Sequence, residues 1–111
     1  PYTTLFRSIA LNAADAARIN AAGKKIVYLS MENSYELGED LSLLDSFYKL
    51  GVRMAGPVHN GTNQLADSTN PGPVGAKWGG LSPMGRDYVK RANELGIILD
   101  GSHASDATID R

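Results

Sequence analysis

The sequence predicts an α/β fold built on parallel strands, and three observations carry that prediction. Helix-type and strand-type segments alternate from residue 12 to the end. Each strand is preceded by a helix that stops at a glycine, and each is followed at once by a glutamate or a histidine. Alternation of this kind favours parallel strands joined by right-handed crossovers.

The elements follow in order. "NAADAARINAAG" (12–23) is alanine-rich with helical apolar spacing, and Gly23 is its stop. "KKIVYLSMEN" (24–33) holds Ile26, Val27, Tyr28 and Leu29 in one run, the pattern of a strand buried on both faces over 25–31. "EDLSLLDSFYKLG" (39–51) opens on acids, places Leu41, Leu44, Phe47 and Tyr48 on one side, and ends in Lys49-Leu50-Gly51. A strand follows over 52–58. "SPMGRDYVKRANELG" (82–96) has Ser82 as N-cap, Pro83 in the first turn and Gly96 as terminator. "IILDGSH" gives a third strand over 97–102, and a further helix begins at Ser105-Asp106.

Bulk properties narrow the function. A chain of 111 residues with net charge −1 suits one modest domain and offers no electrostatic reason to expect nucleic acid. With no cysteine, disulfides and thiolate metal sites are excluded. No apolar run approaches the ~20 residues of a membrane span. The chain starts without methionine and stops just inside a helix, so it reads as an excerpt of a longer protein. Its first eight residues, "PYTTLFRS", resemble one reading frame of a sequencing-adapter oligonucleotide. They are set aside as a non-native tail, leaving 9–111 as the domain. The alternative is an ordinary N-terminal strand, since Tyr, Thr, Leu and Phe favour strands.

The candidate chemistry sits at the strand ends. Parallel neighbours have their carboxyl ends on one edge, so Glu32, His59 and His103 can converge there. That edge carries function in α/β barrels and open α/β sheets. A carboxylate with neutral imidazoles suits Zn²⁺ or a similar divalent ion. Asp100, three residues before His103, is placed to orient its imidazole. Each has a bland alternative as a solvated or hydrogen-bonded turn residue. Lys24-Lys25, Lys49 and Lys90-Arg91 read as solvated surface. The aperiodic segment 60–80, "NGTNQLADSTNPGPVGAKWGG", is long for a compact domain and leaves from the same edge. Within it Asn60 and Trp78 are candidate substrate-loop residues, Trp78 also reading as a residue packed outside the sheet.

In combination, Glu-Asn after a strand, His-Asn-Gly with a following Ala-Asp-Ser, Gly-Leu-Ser-Pro, and Asp-x-x-His resemble the membrane dipeptidase (renal dipeptidase) family from about Ala14 to Arg111. The resemblance implies a TIM-barrel (β/α)₈ metallopeptidase with two zinc ions that hydrolyses dipeptides to free amino acids. This chain would supply about the third to fifth strands. Glu32 takes the place of the metal-bridging glutamate and His103 that of a zinc-ligating histidine. His59 takes the place of the histidine that contacts substrate and stabilises the tetrahedral intermediate.

There are departures. The family's first-strand His-x-Asp pair would precede residue 9, and a further ligand histidine and a late-strand catalytic aspartate would follow Arg111. Gly101 replaces a larger apolar residue, and Ser34-Tyr35-Glu36 replaces a Gly-Tyr-Pro type of turn. A barrel of this type takes ~250 residues, so the chain alone is expected to be inactive. Two other readings stay open: a non-catalytic dipeptidase-like paralogue, and a small flavodoxin-like or receiver-like binding domain. Against the latter, there is no acidic cluster after a first strand and no phosphate-type glycine loop. Dipeptide preference, a homodimeric or other oligomeric state, and the compartment are left open.

Overall fold

The computed structural model describes residues 5–110. Among them are strands β1 (Arg7–Ile9), β2 (Lys25–Val27), β3 (Leu29–Met31), β4 (Val52–Ala55) and β5 (Ile98–Leu99), and helices α1 (Ala13–Ala21), α2 (Ser42–Lys49), α3 (Pro83–Leu95) and α4 (Asp106–Asp110). All pairings between these strands are parallel, β1 with β2 and then β3-β4-β5. The α/β class with parallel strands is as the alternation predicts.

The strand boundaries are not. The segment expected as one strand over 25–31 is two, broken at Tyr28. Val27 pairs with Ile9 of β1, whereas Leu29 pairs with Val52 of β4, and the register slips between Leu29 and Ser30. The segment thus changes its parallel partner from β1 to β4 at the break. β4 stops at Ala55 instead of Val58. The Gly56 N–H still reaches the Met31 carbonyl at 3.0 Å, but Pro57 has no N–H to continue the ladder. β5 is cut short on the same edge. Asp100 N–H reaches the Ala55 carbonyl at 3.0 Å, and the Asp100 carboxylate then captures the Ser102 N–H at 2.9 Å and turns the chain.

A further strand, β1, was not expected. Residues 1–4 of the segment set aside as a tail lie outside the described residues, as does Arg111. Leu5 and Phe6 are exposed. Arg7 and Ser8, however, pair with Lys25 and Ile26, so the paired chain begins two residues before Ile9.

The helices form where their caps dictate. The Asn12 side chain accepts the Asp15 N–H at 2.8 Å to open α1, and Ser82 Oγ accepts the Gly85 N–H at 2.9 Å to open α3. Gly96 closes α3 at φ 82°, returning its N–H to Ala92, a left-handed conformation that glycine adopts without a Cβ penalty. α2 starts later than the acidic run suggested, because the Asp40 carboxylate accepts the Ser42 N–H at 3.0 Å in a turn just ahead of the helix. Arg91, read as surface, bridges α3 to α2 through Asp45 and also pairs with Glu94 at 2.9 Å.

The core joins α2, β4, the segment that follows it and α3, with the buried Ala10 and Ile19 outside it. Leu37, Leu44, Ala55, Val58, Leu65, Ala66, Leu81, Tyr88, Ala92 and Ile97 form it, with Leu41, Phe47 and Tyr48 packed on its margin. Burial of β2 and β3 on both faces is not observed. Along this run Ile26, Tyr28 and Ser30 are exposed, while Val27, Leu29 and Met31 are half-buried. Ser30, Met54 and Ile98 lie side by side in register, and Ile98 is exposed. The helices cover one sheet face; the other is open and partly apolar.

Two glycines report how tightly loop and helix meet. A Cβ on Gly85 would lie 2.0 Å from the Leu65 carbonyl oxygen, which is backbone and cannot swing away. A Cβ on Gly101 would meet only the end of the Ile109 side chain, at 2.7 Å, and Ile109 is exposed and free to move. The Gly101 departure thus leaves space that Ile109 occupies. Gly85→Ala is expected to cost about 3 kcal/mol of stability and Gly101→Ala less than about 0.5 kcal/mol, read from urea unfolding midpoints of both variants.

Candidate metal centre

Glu32 follows β3 directly, so its side chain leaves the sheet at the carboxyl edge. Two left-handed or buried turn residues fix its exit. Asn33 sits at φ 64° and its side chain accepts the Tyr35 N–H at 3.3 Å. Ser34, fully buried, donates to the Gly56 carbonyl at 2.8 Å and shares a hydrogen bond with the Tyr88 hydroxyl at 2.8 Å. Burial pushes the Tyr88 phenol up to about 12, against a lowering by Ser34, so it stays a neutral hydroxyl in this network. Ser34, a departure at the sequence level, thereby ties the Glu32 turn to the end of β4.

His59 and His103 arrive from the next two strands. Their ring centroids lie 4.2 Å apart at 64°, edge to face. Each Nε2 is 3.5 Å from the same Glu32 oxygen, Oε1. One donor atom from each of the three residues falls within 4.8 Å of the others. The convergence expected of parallel strand ends is therefore present. Glu32 is exposed and the two histidines are half-buried, an open site with its walls on one side.

Asp100 occupies a different post from the one expected. Its carboxylate is held by Ser102, which lowers its pKa more than burial raises it, and the nearby His103 lowers it further. Among the described residues it makes no hydrogen bond to the His103 ring, and its carboxylate instead shapes the turn that leads to His103. Asn60 is exposed. Trp78 donates from Nε1 to the Asn63 carbonyl at 2.8 Å and lines a groove with Glu39, Gln64 and Met84, none of them in the Glu32 cluster.

Sequence reasoning missed the residues that hold the 60–80 segment in place. Asn63 donates to Asn33 at 3.1 Å and to the Pro57 carbonyl at 2.7 Å, while its oxygen accepts the Leu65 N–H at 2.8 Å. Asp67, 2% exposed, accepts N–H groups from Lys77 at 2.7 Å, Trp78 at 3.0 Å and Gly80 at 3.1 Å. Ser68 lies against the backbone carbonyls of both His59 and His103. The available signal was an acid beside small polar residues inside a loop of glycine and proline, with no cation near it in sequence.

The chain matches the family described as Membrane dipeptidase (Peptidase family M19) over residues 5–111. It belongs to that family. The match begins inside the segment read as a non-native tail, and it replaces the flavodoxin-like alternative. Dipeptidase tcpJ of Claviceps purpurea is 38% identical over 99 residues, covering 88% of this chain and 23% of its own length. The crystal structure of the probable dipeptidase PvdM of Pseudomonas aeruginosa superposes with a TM-score of 0.91 at 40% identity, over 95% of this chain and 27% of that one. A metallo peptidase of Rhodobacter sphaeroides, liganded with a phosphinate mimic of L-Ala-D-Ala, gives 0.82 at 30% identity, over 94% and 30%. The chain thus spans about a quarter of the length of the curated relatives it matches.

The family uses metal, and the donors fit one. Two ligands of an ion held at ~2.0–2.1 Å can lie no more than ~4.2 Å apart, and the 3.5 Å between Glu32 Oε1 and His103 Nε2 satisfies this. The imidazole–carboxylate set suits a borderline divalent ion.

Asp67 gives a pH prediction. Burial raises its pKa, but the N–H groups of Lys77, Trp78, Gly80 and Gly79 together outweigh this and bring it below the ordinary value of 3.8. A depressed folded-state pKa adds stability in full above the unfolded value and loses it as pH falls through the folded one. Asp67→Asn should cost about 1.5–3 kcal/mol at pH 7. The gap from wild type should persist down to the ordinary aspartate range and close only below it, as followed by unfolding midpoints against pH.

Proposed function

We propose that this chain is part of a zinc-dependent dipeptidase with a (β/α)₈ barrel, whose dipeptide substrate is cleaved to free amino acids at the carboxyl edge of the sheet. The observation that carries the reading is the meeting of Glu32, His59 and His103 at that edge in a chain of the membrane dipeptidase family. The open sheet face fits the inner wall of a barrel completed by further strands.

In this reading Glu32 would help hold both zinc ions and His103 would help hold one of them. Bound zinc would polarise the scissile carbonyl and lower the pKa of the attacking water. Glu32 supplies negative charge beside both imidazoles, which would offset the charge of the bound cations. His59 serves as a donor toward the carbonyl oxygen as it becomes tetrahedral, a contact worth most in the transition state. The likeness to a relative liganded with a phosphinate dipeptide mimic supports the substrate class.

The 111-residue chain should show no dipeptidase activity in excess zinc. A longer version carrying the remaining barrel strands should hydrolyse dipeptides with zinc. In that version Glu32→Ala should lose zinc and turnover together. His59→Ala should keep zinc while kcat falls about 10²–10³-fold. Zinc content measured beside steady-state kinetics decides; an active Glu32→Ala, or loss of zinc in His59→Ala, contradicts the assignment.

A further inference from the structure

We propose that Ser68 is the positioning residue that sets the His59–His103 imidazole pair. Its purpose rests on the dipeptidase reading; its geometry does not. β4 and β5 are linked by backbone only as far as the bond between Asp100 N–H and the Ala55 carbonyl. Beyond it Pro57 and the Asp100–Ser102 turn carry the two loops away from the ladder. Ser68 joins them again. Its hydroxyl lies 2.5 Å from the His59 carbonyl and 3.1 Å from the His103 carbonyl, and it accepts the Asn70 N–H at 3.1 Å. One hydroxyl proton is thus shared between two carbonyls that belong to the two histidines themselves. Among the described residues no other side chain donates to both carbonyls.

The seryl group is itself fixed. Ser68 is 3% exposed, its N–H is directed at Thr62 Oγ1 at 3.4 Å, and its backbone bridges to Ala104. The next residue adds a second tie, since the Thr69 N–H reaches the His103 carbonyl at 2.8 Å. His103 needs such ties because it stands at φ 64°, a left-handed conformation unfavourable to a side chain with a Cβ and held only where the surroundings determine it. Among the described residues neither ring is held by a hydrogen bond of its own. Their ring nitrogens face Glu32 at 3.5 Å, so the edge-to-face contact is inherited from the backbone that Ser68 fastens.

The chain has two histidines, so isotope labelling of imidazole gives two ring systems and one cross-relaxation peak between them. In the metal-free wild-type chain that ring–ring peak should be strong. Ser68→Ala should lose it while keeping a dispersed, folded amide spectrum, and Ser68→Thr, which keeps the hydroxyl, should restore it. An unchanged peak in Ser68→Ala, its absence in wild type, or its loss in Ser68→Thr as well as Ser68→Ala overturns the proposal. Should Ser68→Ala fail to fold, the wild-type hydroxyl proton decides. Slow exchange with contacts to both His59 and His103 supports the proposal, and exchange at the solvent rate overturns it. Hydrolysis is not part of this readout, so a chain with the predicted peak whose longer form proves inert would contradict the dipeptidase reading alone.

Discussion

The carboxylate of Asp67 is the anchor on which the carboxyl edge of the sheet depends. Among the described residues this buried carboxylate has no cationic partner, and a ring of backbone N–H groups from Lys77, Trp78 and Gly80 takes the place of hydration. A buried anion is tolerable when its lone pairs are filled in this way. The same residue spends its backbone as well. Its N–H reaches the Gly80 carbonyl at 3.0 Å, and its own carbonyl accepts the Ser105 N–H at 3.0 Å and the Thr108 hydroxyl at 2.9 Å. One position thereby fastens a long loop to itself and to the start of α4. Without it, the glycines and prolines of 60–80 have no periodic structure to fall back on.

From this anchor the chemistry of the site follows in sequence order. Asp67 holds the loop; Ser68, next to it, is presented to the carbonyls of both histidines. Asn63 reaches across to Asn33 and the end of β4, and Ser34 with Tyr88 ties the Glu32 turn to Gly56. Three strand ends are thus cross-linked by side-chain hydrogen bonds above the point where the backbone ladder stops. The exposed Glu32 and half-buried imidazoles are held by residues more buried than themselves, the arrangement that lets polar groups be preorganised while staying open to a ligand.

The sequence made much of this legible. α3 was readable at both ends because Ser82, Pro83 and Gly96 are strong local signals that tertiary structure had no reason to override. The convergence of Glu32, His59 and His103 was readable because parallel strands put their carboxyl ends on one edge. Strand lengths were not, because hydrophobicity continues past the last ladder bond: Val58 packs in the core although Pro57 has already ended pairing. Burial of Ile26 and Tyr28 was over-read, since apolar character says what a face would accept and not what covers it. Nor was the grip of Asp67 visible, because its partners are backbone N–H groups, which carry no residue identity. The dipeptidase resemblance read from its motifs agrees with the family match.

The central claim is that the cross-linked strand ends gather Glu32, His59 and His103 at one site, where Glu32 and His103 can hold an ion and the His59 ring stands beside it. Cobalt(II), a paramagnetic stand-in for zinc, tests it most directly when titrated into the histidine-labelled chain. The account predicts that both imidazoles shift together, with one midpoint, and that Glu32→Gln moves that midpoint to higher cobalt for both. Shifts confined to one histidine, or unaffected by Glu32→Gln, would contradict it.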